Sequence, residues 1–159
     1  MKSLIVYYSF TGNTEKVAQA LKEVLGRKGQ ADLVSLKPED ESGNFFIQAF
    51  RAFRKKKAVL KDAPVDVSGY DLICIGTPVW AFGPSPSVNS YLDGLKNIKG
   101  KDALCFITYG SGIGAKRCLN MMKTALKEKG AFKIFDFEIQ QFKISDRDFV
   151  RAAIEETLK

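Results

Sequence analysis

Histidine is absent from this 159-residue chain, and it has only three cysteines and one tryptophan. Without histidine there is no Ser-His-Asp or Cys-His machinery, and transition metals lose their commonest ligand. Cys74, Cys105 and Cys118 show no CxxC or other metal-ligand spacing, and three thiols are too few and too odd in number for a disulfide framework. Cys74 and Cys105 fall in apolar strand-like runs and Cys118 in a helical one, so buried free thiols in a reducing cytoplasm are expected. No apolar run approaches the ~20 residues that span a bilayer, so no membrane span is expected. Only Lys2 precedes the first apolar run, which reads as a strand and not as a signal peptide. No G-x-x-x-x-G-K-[ST] phosphate loop occurs.

Acidic residues are also scarce in one place. The net charge is +7, and Arg51, Arg54, Lys55, Lys56, Lys57 and Lys61 supply six positive charges with no acid between the first and the last. The remainder is nearly balanced. A nucleic-acid binder would spread basic charge over a wider face, so one local patch on a balanced domain is expected, and no nucleic-acid partner. Such a charge run is either solvated surface or a docking site for an acidic partner.

The composition, 45% hydrophobic and 27% charged, suits a globular protein, and the length suits one domain over residues 1–159. Apolar, β-branched runs alternate with helical periodicity. Strands are predicted at Ser3–Tyr8, Asp32–Leu36, Leu72–Gly76, Ala103–Tyr109 and Lys133–Ile139. Helices are predicted at Asn13–Lys28, Asn44–Lys57, Ser85–Leu95, Ala115–Lys129 and Asp146–Leu158. Val17, Ala18, Leu21, Val24 and Leu25 form the apolar stripe of the first helix, which Gly29 is expected to stop. Phe46, Phe50 and Phe53 would make the buried face of the second. Alternating β and α units predict a parallel sheet with helices on both faces, an α/β/α sandwich. Ligands of such sheets bind beyond the C-terminal ends of the strands, at the topological switch point.

Three loops at that edge have binding chemistry. After the first strand comes Ser9-Phe10-Thr11-Gly12-Asn13-Thr14, a hydroxyl-rich turn feeding a helix N-terminus. Unpaired N–H groups and the positive end of the helix dipole favour an anion there, and Gly12 lets the backbone approach it closely. With no lysine or arginine in the turn, neutral donors suit a phosphomonoester better than a nucleoside triphosphate with its magnesium. The competing reading is a simple helix cap. After the third strand comes Thr77-Pro78-Val79-Trp80-Ala81-Phe82-Gly83, and after the fourth Thr108-Tyr109-Gly110-Ser111-Gly112. Aromatics framed by Gly and Pro offer flat faces to a flat ligand, although Trp80 taken alone fits a core position as well. Gly110–Ala115 formally fits the dinucleotide fingerprint G-x-G-x-x-A, but it follows the fourth strand when the first turn already serves as the phosphate loop.

Together these motifs resemble those of the flavodoxin-like FMN proteins, over the whole chain. Ser9–Thr14 matches their phosphate loop [ST]-x-T-G-x-T, and Gly76–Trp80 and Thr108–Gly112 resemble their two ring loops. The uninterrupted stretch Lys133–Ile139 resembles the short-chain type. The resemblance implies a five-stranded sheet in the order 2-1-3-4-5 and bound FMN. Ser9, Thr11, Asn13 and Thr14, with backbone N–H groups from Phe10 to Thr14, would hold the phosphate. Trp80 and Tyr109 would flank the ring, and main-chain groups of Thr77–Phe82 and Gly110–Gly112 would meet its polar edge. The activity implied is electron transfer between a reductase and a redox acceptor, with the Arg51–Lys61 patch available for docking, in a cytoplasmic monomer or homodimer. The alternative is an NAD(P)H-dependent flavin or quinone oxidoreductase; a flavin-free interaction domain is the third possibility. Two departures stand out: this chain is basic where such carriers are usually acidic, and residues 44–57 are aromatic and basic where the smallest members are plainer.

Overall fold

The computed structural model describes residues 1–37 and 64–159. The predicted helix Asn44–Lys57 and the Arg51–Lys61 patch lie outside the described residues. Five strands form one parallel sheet: β1 (Lys2–Tyr7), β2 (Gln30–Ser35), β3 (Leu72–Pro78), β4 (Asp102–Tyr109) and β5 (Ile134–Gln140). Their order is β2-β1-β3-β4-β5, the predicted 2-1-3-4-5. Four helices are described: α1 (Asn13–Gly26), α2 (Pro86–Gly94), α3 (Ala115–Glu128) and α4 (Arg147–Thr157).

The period-2 alternation of strand side chains divides the apolar residues between two layers. Leu4, Val6, Ile73, Ile75, Cys105 and Ile107 face α2 and α3, where Val88, Tyr91, Cys118, Leu119 and Met122 cover them. Ile5, Tyr7, Cys74, Leu104 and Phe106 face the other way, beneath Val17, Leu21 and Leu25 of α1 and Val150 and Ile154 of α4. All three cysteines are buried and free. Burial pushes the Cys105 and Cys118 thiols up to about 12 and the Cys74 thiol up as well.

Two glycines have functions that periodicity does not reveal. α1 ends at Gly26, short of the expected stop at Gly29. Gly29 has no positive φ; instead a Cβ there would overlap the Met1 carbonyl, which accepts a hydrogen bond from Gln30 N–H at 3.1 Å. Gly76 sits in β3 opposite Phe106, whose ring fills the space of the missing side chain and stacks on Phe137 with centroids 5.6 Å apart.

The chain moves from β1 outward to β2 and then back past β1 to β3. The loops following β1 and β3 therefore diverge, and the gap between them is the switch point of the sheet.

Candidate functional site

At that gap lies a cleft of about 210 Å³, lined by Phe10, Thr11, Asn13 and Thr14 from the first loop, Pro78, Val79 and Trp80 from the second, and Thr108, Tyr109 and Gly110 from the third. Gln141, in the 3-10 turn Gln141–Lys143 after β5, completes it. None of these side chains carries a charge at neutral pH. All three expected loops thus meet in one place.

The first loop is not a capped helix start. Gly12 is the N-cap of α1, with φ +86°, and no side chain caps it. The hydroxyls and amide around it are left for something else. Ser9 Oγ is buried and has no hydrogen-bond partner, and the side chains of Thr11 and Asn13 make no hydrogen bond among the described residues. A buried hydroxyl without a partner costs about 1–3 kcal/mol, so such groups in native structures generally await a ligand or water. Thr14, which also lines the cleft, has a protein partner: its hydroxyl pairs with that of Thr108 at 2.8 Å, tying the first loop to the end of β4. One proton and three lone pairs of that hydroxyl pair remain available.

Much of the second loop is braced internally. Thr77 Oγ1 accepts from Ser85 N–H at 3.0 Å and donates to the Pro78 carbonyl at 2.9 Å. Val79 N–H is bound to the Thr108 carbonyl at 3.0 Å, and Trp80 and Gly83 exchange backbone hydrogen bonds at 2.9 Å each. Among the main-chain donors of this loop, the N–H groups of Ala81 and Phe82 have no partner among the described residues. Those two residues have φ +45° and +67°, the left-handed geometry that a two-residue hairpin turn demands and that Asn-Gly usually supplies. Non-glycine residues there cost roughly 1–2 kcal/mol each. Trp80 is only 7% exposed. Its ring packs in T-shaped contacts with Tyr8 at 5.4 Å and with Phe10 at 5.8 Å between centroids, and it lines the cleft.

The third loop is built around close approaches. Tyr109, half-buried, lies beside Gly112, whose φ is +84°. Gly114, with φ +83°, is the N-cap of α3, and a Cβ there would come within 2.7 Å of Phe82 Cα. Gly112 and Gly114 are thereby accounted for by turn geometry and by contact with the second loop, while a Cβ at Gly110 would come within 3.3 Å of the Gln141 side chain. Ser111 Oγ accepts from Ile113 N–H at 3.4 Å, outside the cleft. Gly110 is held by Gln140, whose Nε2 donates to its carbonyl at 3.2 Å. Gln141 escaped the sequence reading because a lone glutamine after an edge strand has no pattern. The register pairing Tyr109 with Gln140 is what delivers it to the cleft.

The sequence model of a flavodoxin family matches residues 2–133, and the chain belongs to that family. Among solved structures, the fold is similar to that of a flavoprotein in complex with FMN from Lactobacillus acidophilus, with TM-score 0.67, 21% identity, and 92% of this chain and 98% of that one covered. It is also similar to oxidised flavodoxin 2 from Bacillus cereus (TM-score 0.62, 20% identity, 98% and 99% covered). An NADH:FMN oxidoreductase in its apo form matches with TM-score 0.66 and 20% identity, over 99% of this chain and 88% of that one. No helix among the described residues is long and apolar enough to cross a membrane.

Proposed function

We propose that this chain binds FMN in the three-loop cleft and carries electrons between a reductase and a redox acceptor. One observation carries the reading: a buried, unpartnered Ser9 hydroxyl beside the uncapped N-terminus of α1, at the switch point of a flavodoxin-family sheet. The residues present fit the group. Ser9, Thr11 and Asn13 would join the backbone N–H groups of residues 10–14 around the phosphate, with the Thr14–Thr108 pair holding the loop in place. FMN, when bound, supplies the redox chemistry. The N–H groups of Ala81 and Phe82, unpartnered among the described residues, are the main-chain donors of the second loop that would be available to the polar edge of the ring. Tyr109 and Gln141 border it from the opposite side. Trp80, packed against Tyr8 and Phe10, is the aromatic side chain of the second loop that would lie against the ring.

The likeness to an NADH:FMN oxidoreductase favours the second reading, direct reduction by a nicotinamide dinucleotide. A single experiment addresses both. The purified protein, loaded with FMN, is mixed anaerobically with NADH or NADPH while the flavin spectrum is followed. A spectrum unchanged until a reductase or dithionite is added supports the carrier; bleaching within seconds by dinucleotide alone makes it an oxidoreductase. Equal affinity for riboflavin and FMN would overturn the phosphate assignment to Ser9–Thr14.

A further inference from the structure

A second concavity, about 430 Å³, runs between α1 and α4 on the opposite face of the sheet from α2 and α3. Its α1 wall is Lys16, Gln19 and Glu23, residues at helical spacing on one stripe; its α4 wall is Arg147 and Arg151. Ala20, Ile144 and Val150 form an apolar floor.

Cross-helix ion pairs join the two walls turn by turn. Arg27 meets Glu155 at 3.7 Å, and one turn on, Glu23 meets Arg151 at 3.8 Å. The next turn breaks the series. Gln19 and Lys16 stand where a carboxylate would continue it, and they share the groove with Arg147. Lys16 and Arg147 make no ion pair or hydrogen bond through their side chains among the described residues. The carboxylates nearest in sequence are engaged elsewhere: Asp146 Oδ1 accepts from Phe149 N–H at 3.0 Å as the α4 cap, and Glu15 Oε1 accepts from Tyr7 OH at 3.3 Å. Asp148 lies on another face of α4 and does not line the groove. Lys143 does not line the groove and sits over the Phe149 ring at 4.8 Å.

We infer that this groove binds a small organic diphosphate, with Lys16 and Arg147 holding the anion from the two walls and the apolar floor receiving the organic body. The volume falls in the small-molecule range of about 300–1,000 Å³. Guanidinium groups match phosphate oxygens in a fork geometry, and a lysine opposite supplies a second charge. The ligand would sit beside the α1 end of the cleft, since Lys16 follows the phosphate loop within one helical turn and Ile144 follows Gln141 by three residues.

The probe is ADP, added to the isotope-labelled full chain in the presence of excess FMN and followed by amide chemical shifts. Saturable shifts at Ala20, Ser145, Val150 and Arg151 are expected, with affinity falling at least tenfold in the double variant Lys16→Gln/Arg147→Gln. Circular dichroism of that variant checks the fold, and Arg147→Gln alone is expected to lose at least threefold. Inorganic pyrophosphate should compete with ADP. Shifts confined to Ser9–Thr14 would overturn the proposal, as would equal binding of adenosine or affinity indifferent to both variants. Displacement of ADP by no phosphate but by an acidic peptide would also overturn it and turn the groove into a protein-docking surface.

Discussion

The cleft beyond the sheet edge and the groove between α1 and α4 share the first turns of α1, yet they are made of opposite materials. The cleft is lined by hydroxyls, amides and aromatics without a single formal charge. The groove is lined by three cations and one carboxylate. In the cleft, the proposed anion preference would come from backbone N–H groups fixed at a helix start, and it would last only while the loops keep their shape. In the groove it would come from long, exposed side chains. A neutral, preorganised site selects by geometry; a charged, mobile one selects by charge and is weakened by salt over a Debye length of about 8–10 Å.

The sharpest way to break the first half of that comparison is through packing. Gly76→Ala places a methyl group inside the Phe106 ring, which is itself stacked on Phe137. Overpacking of this kind costs about 1–3 kcal/mol. Because Gly76 leads directly into Thr77 and Trp80, FMN affinity should fall with stability, while ADP binding to the groove persists in whatever protein remains folded. Urea unfolding and flavin titration on the same preparation measure both.

Next in size is Ser9→Ala, which removes the unpartnered buried hydroxyl. A hydrogen bond to a charged group is worth about 1.5–3 kcal/mol, so FMN affinity should drop roughly 10- to 100-fold. Stability of the ligand-free protein should rise slightly or stay level, and riboflavin affinity should not change. A riboflavin loss equal to the FMN loss would mean that Ser9 shapes the loop and does not touch the phosphate.

Thr14 tests how far the cleft is scaffold. Thr14→Val alone leaves the Thr108 hydroxyl buried without its 2.8 Å partner, at a cost of about 1–3 kcal/mol. The double variant Thr14→Val/Thr108→Val removes both groups and should recover most of that stability. Calorimetric melting of the four proteins gives the coupling directly. If FMN affinity also recovers in the double variant, the two hydroxyls act only as a brace.

These variants also mark what could be read from the residues in order. The strands and the three loops were legible because both rest on local signals, near-continuous apolar runs and Gly- or hydroxyl-rich turns at their ends, whereas the strand order came only with the family resemblance. β2, half-exposed, and β5, at the other edge, were placed within two residues for the same reason. The burial of Trp80 was one of two readings the sequence left open, and the left-handed backbone at Ala81 and Phe82 was not legible, because propensity argues against it there. The pairing of Thr14 with Thr108 was not legible, because the two hydroxyls meet only through the packing of α1 against the end of β4. Gly29 was misassigned as a helix stop for a similar reason, since a glycine required by a tight approach is identical in sequence to one required by positive φ. The groove had no sequence signal at all, because Lys16 and Arg147 are 131 positions apart and meet only through the packing of α1 on α4.

The smallest expected effect sharpens the second half of the comparison. Glu23→Gln releases Arg151 from an ion pair at 3.8 Å in which both side chains are largely exposed. Exposed pairs of this kind are worth at most about 0.5–1 kcal/mol, so the melting temperature should barely move. The groove, however, gains a third uncompensated cation, and ADP should bind roughly two- to threefold more tightly at low salt, with the gain fading by 1 M salt, where the Debye length is about 3 Å. FMN affinity, set by neutral groups on the other side of the first helical turns, should stay constant across the same salt series. Should the variant instead strengthen FMN and ADP equally, the cleft would be responding to the general field of the protein, and the distinction between a site built from backbone and one built from side chains would collapse.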